Sequence, residues 1–258
     1  MITRIKSEFW TVLLALQFMT RLPVAPRSAY SESRFSACVR HYPLVGLLIG
    51  ILAAVIFAFA SRYLPHVTAV LLSTAAIMLL TGAFHEDGLA DTFDGIGGGT
   101  TPEKSLAIMK DSRIGVFGMA ALWVALAVKV SSLNSMDAAL VIASLVTAHC
   151  MSRWSSVVAI ASSNYVRDEG TGKPTAAGIS SPALLYASIV GLSPIIALYF
   201  LWSPAVAAGA GVGLISGHVL MRWYYQPKIG GYTGDCLGAV QQASELGIYL
   251  GILACRSL

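Results

Sequence analysis

Long apolar runs separated by short polar breaks dominate the chain, and their lengths predict membrane-crossing helices. A crossing helix needs about 20 mostly apolar residues. Seven segments qualify: roughly 43–63, 66–84, 116–134, 138–161, 183–202, 203–221 and 236–255. A shorter apolar stretch at 10–20, flanked by Arg4, Lys6 and Arg21 and containing Trp10, predicts an interfacial helix. Leu64-Pro65, Ser135 to Asp137 and Ser203-Pro204 are links short enough to join antiparallel neighbours. The pattern predicts an all-α integral membrane protein, a polytopic bundle of about seven transmembrane helices with an N-terminal interfacial helix. It reads as one domain over 1–258, and no internal repeat is visible.

Composition strengthens this reading. Hydrophobic residues make up 56% of the 258 and charged residues 12%, with a mean hydropathy of +0.71. Soluble domains carry roughly 25% charged residues, so a water-soluble globule is excluded. The N-terminus has no small-residue cleavage site ahead of Arg21 and Pro23, so no cleaved signal peptide is expected. Cys38, Cys150, Cys236 and Cys255 are scattered and predict reduced, structural thiols. Arg21, Arg27, Arg34 and Arg40, then Lys104, Lys110 and Arg113, then Arg167 and Lys173, then Arg222 and Lys228 all lie in alternate, longer loops. That bias places the N-terminus and the long loops in the cytoplasm. Chemistry at the cytoplasmic membrane surface is the expectation.

One polar block interrupts the apolar pattern: F-H-E-D-G-L-A-D-T-F-D-G-I-G-G-G-T-T, Phe84 to Thr101. If the second span continues as a helix through Ala90, then Asp87, Asp91 and Asp94 fall at i, i+4 and i+7, within about 60° of one face. Such a row takes up protons or recruits a cation, and hard oxygen donors suit magnesium or manganese carrying phosphate. Glu86 adds a fourth acid. His85-Glu86 is not a zinc-protease motif, because Leu89 stands where a second His is required. Gly97 to Ser105 is not a P-loop, because Glu103 precedes Lys104. Thr101-Pro102-Glu103 predicts a capped surface helix over 103–109 that brings Lys110, Asp111 and Arg113 back towards the acids.

A second block, G-G-Y-T-G-D-C-L-G at 230–238, places Asp235 at a helix start, where capping is an alternative role. Gln241, Gln242 and Glu245 then fall inside an apolar span, with Lys129, His149 and Arg153 in others. The polar loop 162–181, with Arg167 and Lys173, predicts a lid without indicating a chemistry.

H-E-D-G-L-A-D-T-F-D-G at 85–95, M-K-D-S-R-I-G at 109–115, G-Y-T-G-D-C-L-G-A at 231–239 and L-Q-F-M-T-R-L-P-V at 16–24 together resemble the cobalamin synthase family. The matches run in order from near the start of the chain to near its end. The resemblance implies transfer of the adenosylcobinamide phosphate moiety of adenosylcobinamide-GDP to α-ribazole or α-ribazole 5′-phosphate, with release of GMP. It implies Mg2+ as cofactor and a site on the cytoplasmic face of the inner membrane, among membrane lipid. Nucleic acid is not an expected partner; association with other corrinoid-pathway enzymes is. Carried over by position, it assigns metal binding to Glu86, Asp87, Asp91 and Asp94, and substrate contacts to His85, Lys110, Asp111 and Arg113. The catalytic base falls to Asp94 or Asp235. The same family pattern leads to Asn-Glu where Gln241-Gln242 stand.

Two rivals are weighed against it. A CDP-alcohol phosphotransferase shares D-x-x-D-G, here Asp91 to Gly95, but continues with G-x-x-A-R where Ile96 to Gly99 follow. A cation-binding transporter would use midplane charges, for which Glu245 and Lys129 are the candidates.

Overall fold

The computed structural model describes residues 2–168, 170 and 172–256, and these are helical throughout except for turns and one isolated parallel bridge, Tyr165 with Tyr232. Eleven α-helices follow one another: α1 (Ile2–Met19), α2 (Glu32–Ala37), α3 (Tyr42–Ala60), α4 (His66–Thr81), α5 (Phe84–Gly98), α6 (Pro102–Ile108), α7 (Val116–Asn134), α8 (Ala138–Ala161), α9 (Ser181–Leu201), α10 (Pro204–Ile229) and α11 (Gly234–Cys255). The helix starts obey local chemistry. Thr101, Asp137, Ser203 and Thr233 each accept a backbone N–H of the first turn through their side chains, and proline opens α6 and α10.

Four helical stretches are long and apolar enough to cross a membrane: 32–60, 116–134, 181–201 and 204–229. A fifth arises if α4 and α5 together form one bent span. This multi-pass architecture is coarser than the predicted seven spans. The predicted ranges 138–161 and 236–255 do form long helices, α8 and α11. They carry a dense set of buried polar side chains, however, among them His149, Arg153, Gln241, Gln242 and Glu245, and these lower their hydropathy. Both helices sit inside the bundle: α8 packs on α3, α9 and α11, and α11 packs on α5, α8 and α10, with Cys236, Val240, Gln241, Glu245, Ile248 and Ile252 of α11 among its buried residues.

The largest departure from the sequence reading is at Gly82-Ala83. The second span does not continue through Ala90. Gly82 (φ 67°) and Ala83 (φ 55°) are both left-handed, and α5 leaves α4 at 85°. Left-handed backbone is easy for glycine but costs alanine roughly 1–2 kcal/mol, so tertiary contacts must hold the corner. The Arg21 N–H donates to Leu80 O at 2.8 Å, and the Arg21 guanidinium fills the space beside the Gly82 Cα. The L-Q-F-M-T-R segment thus fixes the angle at which the acidic helix enters the bundle.

Beyond the corner, α5 is clamped at three points by α11 and α10. Its Gly88 lies against the Asp235 backbone of α11, and Phe93 stacks on Tyr224 of α10 with ring centroids 4.8 Å apart. Lys228 donates to Ile96 O at 2.9 Å, satisfying a carbonyl at the α5 C-terminus. Next to this clamp, α10 and α11 approach backbone to backbone along Gly209, Gly213 and Gly217 facing Gly251, Gly247 and Ala243. Small residues four apart allow this close packing between membrane helices.

The Gly88 contact gives a direct prediction. A methyl group at Gly88 would stand 2.7 Å from Asp235 O and 3.1 Å from its Cα. Gly88→Ala therefore has to push α5 away from α11. We expect a roughly 1–3 kcal/mol loss of stability from overpacking. Activity should fall far more than stability, because Asp87 and Asp91 shift relative to Asp235; thermal unfolding and GMP release on the same preparation measure the two.

Candidate active site

α5 presents its acids to different surroundings. Asp87 is exposed and lines a cavity of about 170 Å³ together with His85, Tyr42, Phe18, Phe84 and Asp235. Asp91, one turn further on, is half-buried, and the charges acting on it are those of Asp235, Asp87 and Asp94, opposed by Arg167. Asp235 reaches this cleft from the first turn of α11. Capping there is the work of Thr233, whose Oγ1 accepts the Cys236 N–H at 3.3 Å. That leaves the Asp235 carboxylate for other partners. Asp235 precedes the predicted 236–255 span; burial raises its carboxyl above the usual range, while Arg167 and Thr233 draw it back.

The other two predicted metal ligands are turned elsewhere. Both oxygens of Asp94 accept backbone N–H groups at the start of α7, from Gly115 at 2.7 Å and Gly118 at 2.8 Å. Gly115, the residue before α7, has no side chain with which to cap it, so Asp94 provides the anionic cap from α5. Glu86 points into the bundle, where its Oε1 accepts from Gln242 at 3.1 Å and its Oε2 is buried without a partner. The i, i+4, i+7 register is present, yet only Asp87 and Asp91 of the row face Asp235.

The predicted cations also divide. α6 forms as expected over Pro102–Ile108 and packs its Met109 turn against Gly95. The loop beyond it leads to Gly115 at Asp94, but Arg113 is 87% exposed and forks onto Asp111, 2.6 Å away. Arg113 beside Asp111 holds that carboxyl down at about 2. Lys110 is exposed. The cation beside the acids is Arg167, whose Nη2 lies 2.7 Å from Asp235 Oδ2 in an ion pair not aligned as a hydrogen bond. Its Nε is buried with no hydrogen-bond partner. Backbone bonds place Arg167 there: Val166 donates to Tyr232 O at 3.1 Å, and Tyr232 donates to Asn164 O at 2.9 Å. The polar loop after α8 is thereby stitched to the G-Y-T-G-D segment. Glu169 and Thr171 of that loop lie outside the described residues.

Gln241, Gln242, Glu245, Lys129, His149 and Arg153 form one buried network behind the site. Lys129 donates to Glu245 Oε1 at 2.6 Å, Gln241 to Glu245 Oε2 at 2.6 Å, and Tyr249 to Glu245 Oε1 at 3.1 Å. His149 Nδ1 lies 3.4 Å from Glu245 Oε2, and Arg153 Nη1 lies 3.2 Å from His149 Nδ1. Gln242 bridges Gln241 and Glu86, so the network ends on the acidic helix. Two acids, Glu86 and Glu245, stand with two bases, Lys129 and Arg153. These midplane charges pair with one another, which removes the support they gave to a transporter.

Among the described residues, no three His, Cys, Asp or Glu side chains gather closely enough to hold a metal ion by themselves. Magnesium does not require such a cage, because it is usually held by one or two carboxylates with waters and substrate phosphates. Asp87 and Asp91, hard oxygen donors one helical turn apart, fit that mode.

Fold and site together define a multi-pass helical membrane protein with an acidic cleft formed by Asp87, Asp91 and Asp235 beside Arg167. The chain matches the family model described as cobalamin-5-phosphate synthase over residues 11–253, and it belongs to that family. An adenosylcobinamide-GDP ribazoletransferase of Ralstonia pickettii is 42% identical over 254 residues, covering 97% of this chain and 98% of the relative. The protein of that name from Vibrio vulnificus is 42% identical over 257 residues, covering 96% of both. The one from Ralstonia nicotianae is 38% identical over 261 residues, covering the whole of both. No solved structure matches the chain.

Proposed function

We propose that this protein transfers the adenosylcobinamide phosphate moiety of adenosylcobinamide-GDP to α-ribazole or its 5′-phosphate and releases GMP, the last stage of cobalamin synthesis. Its relatives' names and its family support this reading. The observation that carries it structurally is the meeting of Asp87, Asp91 and Asp235 with Arg167 at one cleft. In the reaction a ribose hydroxyl of the acceptor attacks the phosphorus bonded to the corrinoid side chain, and the bond to the GMP oxygen breaks. The hydroxyl proton passes to Asp235, since Asp94 already accepts two N–H groups. Arg167 leaves Asp235 to hold phosphate oxygens through its fork. Asp87 and Asp91 would hold Mg2+, which when bound neutralises charge on the diphosphate. Glu86 serves as the link to the buried network.

The basic loop bias supports a site on the cytoplasmic side of the inner membrane. α8 and α11 act as inner spans shielded by their neighbours, giving seven crossings when the α4–α5 pair counts once, and α1 lies along the interface.

Protein reconstituted in liposomes and given adenosylcobinamide-GDP, α-ribazole and Mg2+ should release GMP in step with corrinoid product. Excess EDTA should stop release and added Mg2+ restore it. A folded preparation that makes no GMP would overturn the reaction assignment; full turnover in EDTA would overturn the metal assignment alone.

A further inference from the structure

The cavity beside the acids has an aromatic wall that phosphate chemistry does not require. Phe18 of α1 lies 6.0 Å from Tyr42 of α3, nearly parallel at 16°, and 5.3 Å from Phe84 of α5, edge to face at 74°. Phe84 in turn stands edge to face against His85 at 5.2 Å. All four line the cavity that Asp87 and Asp235 close on another side. Three separate helices supply these rings, so the arrangement is a product of the fold. The Tyr42 hydroxyl is buried, with no hydrogen-bond partner beyond the weakly bonding Cys38 thiol beside it. A buried phenol on a cavity wall is costly unless a ligand bonds it.

We infer that this cavity seats the aromatic base of the acceptor nucleoside, stacked against the Phe18–Tyr42–Phe84 wall with its sugar towards Asp235. The inference rests on the reaction proposed above. Chemistry separates the acceptor from the donor's guanine. A methylated benzimidazole has apolar edges and a single free ring nitrogen, which one phenol or imidazole satisfies. Guanine presents several donors and acceptors along one edge; besides Tyr42 and His85 the polar side chains on this lining are Ser156, Asp87 and Asp235, and a guanine edge on those acids would take the place of the ribose there. A cavity of about 170 Å³ also suits a bicyclic base and not a corrin macrocycle. Seated this way, the nucleoside's ribose meets the acids, where the hydroxyl must be deprotonated.

Steady-state GMP release by the full-length protein tests the assignment, with α-ribazole and adenosylcobinamide-GDP varied separately. Phe84→Ala should raise the KM for α-ribazole about tenfold, the equivalent of one lost stacking contact. The KM for adenosylcobinamide-GDP should stay within about twofold. Phe18→Leu, a milder change, should move the same constant in the same direction if Phe84→Ala fails to fold. In wild type, a riboside of unmethylated benzimidazole should show a higher KM than α-ribazole, and Phe84→Ala should narrow that gap. A rise in the donor KM instead would place guanine in the cavity and overturn the inference, as would unchanged constants in both variants. Absence of GMP release from folded wild-type protein would fault the reaction itself, a separate outcome.

Discussion

Asp91→Asn should lower GMP release by about two to three orders of magnitude while leaving the protein at least as stable as before. Both halves follow from where Asp91 sits. It is half-buried among the charges of Asp235, Asp87 and Asp94, with Arg167 as the opposing cation. Neighbouring carboxylates about 6 Å apart at an effective dielectric near 20 repel by roughly 3 kcal/mol. Removing one charge relieves that repulsion in the ligand-free protein, so the melting temperature should hold or rise. The same change removes one of the two hard anionic donors proposed to hold Mg2+ at the diphosphate. Asp94→Asn is the informative contrast. Its carboxylate bonds the Gly115 and Gly118 N–H groups, and an amide can serve only one of them well. That variant should lose stability and activity together. Thermal melts in detergent and GMP release, run side by side, read out both variants. Normal turnover by Asp91→Asn would remove Asp91 from the site.

Much of this was visible in the residues, and the limits have physical causes. The ends of α7 and α8 fall where the apolar runs stop, because Ser135 to Asp137 leaves no room for anything but a turn and Asp137 is a strong cap. α6 was legible from Thr101-Pro102-Glu103 for the same reason. The α4–α5 corner was not. A single glycine is tolerated within a helix, and the second left-handed residue is an alanine whose conformation is imposed by Arg21 and the packing of α5. Helical arithmetic assigned three aspartates to one face correctly, but a face does not name its partners. Asp94 met the N-terminus of α7, which periodicity cannot reveal. Arg167 was passed over because it sits in an irregular loop, and only the pairing of residues 164–166 with Tyr232 carries it to Asp235. The stripe of Gly209, Gly213 and Gly217 was a readable signal of close helix packing, and apolar length alone concealed it.

Lys129→Met should destabilise the protein by about 3–5 kcal/mol, because it strands a buried charge. Glu245 is 1% exposed and Lys129 4%, and their atoms meet at 2.6 Å inside the bundle. Without Lys129, Glu245 keeps Gln241, Tyr249 and His149, and Arg153 alone is left to balance both Glu245 and Glu86. The damage should also reach the site. Gln241 holds Gln242, and Gln242 holds Glu86 on the helix that carries Asp87 and Asp91. A loosened network lets α5 rotate, so kcat should fall more than either substrate's KM rises. The double variant Lys129→Met/Glu245→Leu removes both charges from the membrane interior and should recover part of the lost stability relative to Lys129→Met alone. Unfolding in detergent, followed by circular dichroism for the wild type, both single variants and the double, measures the coupling. Additive losses would mean that the ion pair contributes nothing of its own, and the network would then reduce to packing around independent polar groups.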